Sequence, residues 1–119
     1  MKEFIAACVQ ISITPNDVQA NIDKGIVWLE KAAQEHKAEL VVFPETVTTG
    51  YETGLSAEEL WDLVDEVPGA TTQKMQEAAE RLGVYVVWPT YRRGGPRGVV
   101  YNSAVLIGST MSSCSTAFE

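Results

Sequence analysis

Few cysteines, one histidine and no long apolar run set the first limits on this chain of 119 residues. Two cysteines are too few for a disulfide framework, and they sit in unlike settings, Cys8 in an apolar run and Cys114 in a polar stretch. Both are expected reduced, with Cys8 a small core residue. A single histidine, His36, and no Cys or His pair at ligand spacing leave a zinc site without support; His36 reads as an exposed residue near a helix end. No apolar run approaches the roughly 20 residues needed to span a bilayer. The start Met1-Lys2-Glu3-Phe4 has neither the long apolar core nor the small-residue cleavage site of a signal peptide, so the expected location is the cytoplasm. Positive charge is also scarce. A net charge of -7 disfavours nucleic acid and anionic membrane surfaces, and leaves small molecules or proteins as partners.

What is present is the composition of one globular domain, 45% hydrophobic and 21% charged. The pattern is organised around Leu40 to Tyr51. Leu40, Val41, Val42 and Phe43 read as a buried strand, which Pro44 ends by removing a backbone donor. Glu45 thus leaves the sheet at the strand's carboxyl edge, the position where open α/β sheets place ligands. A carboxylate set against an apolar strand end is poorly solvated, which suits it to general-base work; the plainer reading is a solvated turn glutamate.

Around that stretch the elements follow in order. Phe4 to Ile11 reads as a first strand, closed by the cap and turn chemistry of Thr14-Pro15-Asn16-Asp17. Val18, Ile22, Ile26, Leu29 and Ala33 recur at spacings of four and three, which predicts an amphipathic helix ending near Lys37 and a right-handed β-α-β unit with parallel strands. Ser56 and Glu59 form a capping box for a short helix over 57–65, whose acids read as a solvated face rather than a metal site; Glu58 and Asp62 stand at like-charge spacing, which is mildly destabilising unless a cation or a basic partner compensates. Pro68-Gly69 is a turn and Thr71 or Thr72 a cap. Met75, Ala78, Ala79 and Leu82 form the buried stripe of a further helix, stopped by Gly83. Val84 to Tyr91 and Val99 to Ile107 read as an antiparallel hairpin joined by a flexible loop carrying Arg92, Arg93 and Arg97. Asn102 and Ser103 interrupt the last strand and need hydrogen-bond partners, at a pocket wall or merely at the sheet edge. Residues 109–119 read as an irregular Ser/Thr-rich tail following a domain over 1–108.

Three segments carry a resemblance to the N-terminal part of the nitrilase superfamily, the carbon-nitrogen hydrolases. They are Ala6-Ala7-Cys8-Val9-Gln10 followed by Asn21, then Val42-Phe43-Pro44-Glu45 with Gly50-Tyr51, and Tyr101-Asn102-Ser103-Ala104. The resemblance implies an α/β fold, part of a four-layer α-β-β-α sandwich, and hydrolysis of an amide or nitrile to an acid and ammonia by a Glu-Lys-Cys mechanism without metal or organic cofactor. It assigns Glu45 as the general base, with Tyr51 and Asn102 in contact with substrate. The division of labour is physically sound, since a thiol needs a base and a fixed cation helps where negative charge develops.

The lysine and cysteine of that mechanism have no counterpart in these residues. Lys74 is the last lysine, and Cys114 comes too early, without the apolar strand that would hold a nucleophile. The expected status is a truncated first half, inactive alone. The alternatives are a non-catalytic α/β module acting in assembly or binding, or a small flavodoxin-like domain with Glu45 as a binding residue. Half a sandwich leaves apolar strands and an open sheet edge exposed, with Trp28, Trp61 and Trp88 partly uncovered. The expected outcome on size-exclusion chromatography at micromolar concentration is self-association; a clean monomer would count against it.

Overall fold

The computed structural model describes residues 2–109 and, as backbone, residues 114–117. Its elements are β1 (Ala6–Cys8), α1 (Val18–Glu35), β2 (Leu40–Val42), α2 (Ala57–Leu63), α3 (Ala70–Leu82), β3 (Tyr85–Arg93), β4 (Val100–Ile107) and β5 (Cys114–Ala117). The strands form one sheet in the order β1-β2-β3-β4-β5. The first three are parallel, with Ala7, Val41 and Val86 in register, and β4 and β5 run antiparallel to their predecessors. The antiparallel final hairpin argues against the flavodoxin-like alternative.

Local signals account for the helices. Asp17 caps α1 by accepting from the Ala20 amide at 3.1 Å. Ser56 and Glu59 close the expected capping box on α2. Gly83, at φ 69°, ends α3 in the left-handed region. At the start of α3 the Thr72 hydroxyl accepts from the Gly69 amide, while the Asp65 carboxylate accepts from the Thr71 amide and hydroxyl. The arginine loop is held rather than free. Arg97 pairs with Asp62 at 2.7 Å, and Arg93 lies over the Trp61 ring and donates to the Val64 carbonyl. The Arg97 guanidinium holds the Asp62 carboxyl below its usual range, which supplies the basic partner that the Glu58 and Asp62 spacing requires.

The two faces of the sheet differ. Val41, Val86, Trp88, Val105 and Ile107 share the face packed on α1 and α3, and each is fully buried. Ala6, Cys8, Leu40, Val42, Tyr85, Val87 and Leu106 alternate onto the other face, where Tyr85 is 50% and Leu106 45% exposed. Cys8 is therefore exposed and not the core residue expected, because it points from an edge strand to the uncovered face. Trp28 is 39% exposed, as expected, whereas Trp88 departs from expectation by being completely buried. Within the tail 109–119, expected to be irregular, Cys114–Ala117 pairs with β4; the free edge of a long strand is a template that outweighs a poor strand composition. Residues 110–113, 118 and 119 lie outside the described residues.

Trp88 fills the space between sheet and helices. Its ring meets Phe43 edge to face, with centroids 4.9 Å apart, and it lies against Gly25 of α1. A Cβ on Gly25 would come within 2.7 Å and 2.9 Å of two Trp88 ring carbons. Gly25→Ala should therefore destabilise the fold by about 1–3 kcal/mol through overpacking, against the gain of about 1 kcal/mol expected from helix propensity at an unhindered position. Urea denaturation of the two proteins checks the sign.

Candidate active site

Glu45 emerges where the sequence places it, just beyond the carboxyl end of β2. Phe43 continues the ladder by donating its amide to the Val87 carbonyl at 3.1 Å, and Val47 does the same to Pro89 at 3.0 Å. Between them Pro44 supplies no donor, and the chain lifts Glu45 off the sheet. The residues that follow are buried although they form a loop: Thr46, Val47, Thr48 and Thr49 are at most 2% exposed. Thr46 sits at φ 49°, a left-handed conformation that a β-branched residue adopts at a cost of about 1–3 kcal/mol.

That conformation is held by contacts from several parts of the chain. The Thr49 and Gly50 amides both return to the Thr46 carbonyl, and Thr48 and Thr90 share a hydroxyl hydrogen bond. Asn21, fully buried on α1, donates to the Thr48 carbonyl at 2.9 Å and to the Thr14 carbonyl at 2.8 Å, and accepts from the Thr14 amide at 2.9 Å. One side chain thus ties the helix start to the loop that bears Glu45.

The carboxylate meets β4. Asn102 Nδ2 donates to Glu45 Oε1 at 2.8 Å, so two of the expected site residues, 57 positions apart in sequence, are in direct contact. Tyr51, the third, has an exposed ring, and its carbonyl accepts from the Tyr91 hydroxyl at 3.1 Å. Burial above all, then the neighbouring Tyr51 and the Glu45 carboxylate, push the Tyr91 phenol above the usual tyrosine range, which keeps it a donor at neutral pH. Tyr91 was missed in the sequence because only cross-strand register, Tyr91 opposite Asn102, brings it to the site. Ser103 finds its partner in Arg92 Nε at 3.0 Å, on the opposite face.

Glu45 itself is exposed, a correction to the expectation of a poorly solvated carboxylate. Val41 and Phe43 before it face the core, and its own side chain stands beyond them. Lys74, the last lysine, donates to Gln19 on α1, away from the carboxylate's hydrogen-bond partners. No cluster of three or more His, Cys, Asp or Glu able to hold a metal occurs among the described residues, and no helix among them is long and apolar enough to cross a membrane.

Similarity to known proteins falls on this same arrangement. The family profile for carbon-nitrogen hydrolases matches residues 5–113. A nitrilase of Pyrococcus abyssi is 40% identical over 81 residues, which are 67% of this chain and 30% of that protein. An aliphatic nitrilase of Sinorhizobium fredii is 32% identical over 88% of this chain and 38% of its own length, and a formamidase of Bacillus cereus 34% identical over 87% and 32%. The chain thus spans about a third of the length of these curated relatives. Among solved structures, a CN-hydrolase superfamily protein from Xanthomonas campestris superposes with a TM-score of 0.81 at 24% identity, over 100% of this chain and 41% of that one. An amidase of Nesterenkonia superposes with a TM-score of 0.72 at 23% identity, covering 96% and 42%. The fold is that of part of their sandwich.

Asn21→Ala leaves the buried Thr48 carbonyl and the Thr14 amide without this partner, while the Thr14 carbonyl keeps the Asp17 amide, and should cost about 2–3 kcal/mol. Thermal denaturation followed by circular dichroism measures this, and faster amide exchange over 46–50 should accompany it.

Proposed function

Because this chain belongs to the carbon-nitrogen hydrolase family, we propose that it supplies the general-base portion of an enzyme that hydrolyses a non-peptide carbon-nitrogen bond, with Glu45 as the base. The observation that carries the reading is the Asn102-to-Glu45 hydrogen bond, which joins the glutamate segment to the Tyr101-Asn102-Ser103-Ala104 segment at one sheet end. In the chemistry proposed, a cysteine thiol gives its proton to the glutamate and its sulfur attacks the amide carbon. A lysine ammonium stabilises the tetrahedral oxyanion, and the proton passes to the departing ammonia or amine. Water then adds to the thioester, losing a proton to the glutamate, and the acid leaves as the thiol is restored. A nitrile follows the same course with one more water consumed. The names of the similar proteins, nitrilases and a formamidase, support a small aliphatic nitrile or amide as substrate.

The lysine and the cysteine are not supplied by residues described here, so the proposal includes that this chain by itself releases no ammonia. Self-association of the exposed sheet face and a cytoplasmic location belong to the same proposal. The second reading is a non-catalytic module for assembly, and the exposed Tyr85 and Leu106 on that face favour it.

A hybrid separates the two. Replacing the equivalent portion of the Pyrococcus abyssi nitrilase with residues 5–108 should give a protein that releases ammonia from aliphatic nitriles or amides. Glu45→Gln in that hybrid should lower the rate by about 10²–10⁴-fold. A folded hybrid without ammonia release, or one indifferent to Glu45→Gln, overturns the enzyme reading in favour of assembly.

A further inference from the structure

We propose that Asn102 and its cross-strand partner Tyr91 are positioning residues that grip the two ends of the Glu45-to-Tyr51 loop, so that Asn102 serves the base and is not a substrate contact. The inference rests on Glu45 being the base. The side chains of Tyr91 and Asn102 occur directly opposite one another in the β3-β4 register and rise from the same face of the sheet. One donates to the Glu45 carboxylate at 2.8 Å, at the loop's first residue, and the other to the Tyr51 carbonyl at 3.1 Å, at its last. A rigid ladder of two long strands thereby fixes both anchor points at once, while the loop between them is locked from the core side by Asn21.

The chemistry of the Asn102 bond is specific. Nδ2 engages Oε1, and among the described residues Oε2 takes no hydrogen bond. One carboxylate oxygen is thus restrained and the other is open to exchange a proton. A glutamate side chain has three rotatable bonds, and an exposed one samples many rotamers unless something holds it. An amide is suited to the task because it donates without carrying a charge that would compete for the proton. The held phenol of Tyr91, pushed above the ordinary tyrosine range, likewise donates without ionising near neutrality.

Two readouts test the proposal. In the 119-residue chain, three-bond NMR couplings of Glu45 should report one dominant rotamer, and the Asn102 side-chain amide protons should be displaced from their free positions. Asn102→Ala should average the Glu45 couplings, and Glu45→Gln, a substitution at an exposed residue that leaves the core intact, should move the Asn102 amide signal. In the hybrid enzyme, Asn102→Ala should lower kcat by about a hundredfold and change KM by less than about twofold, because misplacement of the base acts in the transition state. Tyr91→Phe should lower kcat by a smaller factor, again at constant KM. Unchanged Glu45 couplings in Asn102→Ala, an unmoved Asn102 signal in Glu45→Gln, or an effect confined to KM each overturn the proposal. An inactive hybrid in which the couplings still depend on Asn102 would instead sink the enzyme reading and leave the grip on Glu45 standing.

Discussion

The contact between Trp88 and Gly25 is the constraint on which most of this structure depends. A tryptophan at the centre of β3 can be buried only if the helix above it comes close, and the missing Cβ at position 25 permits that approach. The same ring meets Phe43 edge to face. Phe43 lies two residues before Glu45, so the depth at which the core accepts Phe43 sets the height at which the chain leaves the sheet. Core packing and placement of the carboxylate are consequently one problem: a shift of α1 over the sheet would move Trp88, then Phe43, then the base.

From that point polar contacts take over. Asn21 reaches from the buried face of α1 to the Thr48 carbonyl, and Thr90 on β3 meets the Thr48 hydroxyl. These bonds satisfy groups that burial would otherwise strand, and they hold Thr46 in a conformation it disfavours. The strain lies one residue from Glu45. Burial of the threonine loop is therefore not incidental to the site; it supplies the rigidity that an exposed side chain cannot supply for itself.

Much of this was legible in the sequence, and the failures have a common cause. The stripe from Val18 to Ala33, the Ser56 and Glu59 box and Gly83 are local signals, read over a few residues, and they placed three helices to within about two residues. The Pro44-Glu45 break was equally local. Alternation of apolar residues shows that a strand has buried positions but not which face other elements will cover. Cys8 therefore reads as core although it points to the uncovered face, and Trp88 reads as partly exposed although it lies at the centre. The exposure of Glu45 is hidden from the sequence likewise, because an apolar strand end says what precedes a carboxylate and not what surrounds it. Tyr91 and the strand at Cys114–Ala117 depend on register and on a free edge, which are properties of two strands together.

Placement of the base and completion of its pocket are separable in this fold. Every described restraint on Glu45 comes from residues 14 to 102: the core through Phe43, α1 through Asn21, β3 through Thr90 and Tyr91, and β4 through Asn102. Asn102 and Tyr91 reach the loop from the uncovered face itself, yet none of these restraints requires an element packed over that face. What that face lacks is water exclusion, and an exposed carboxylate in water is a weaker base than one enclosed beside its reaction partner. Any element that covers the face therefore changes the chemistry of Glu45 through solvation while its geometry is already set. A base positioned before it is enclosed does not have to be reorganised when the nucleophile and the cation meet it, and that preorganisation is what the buried threonine loop and the Asn102 bond provide.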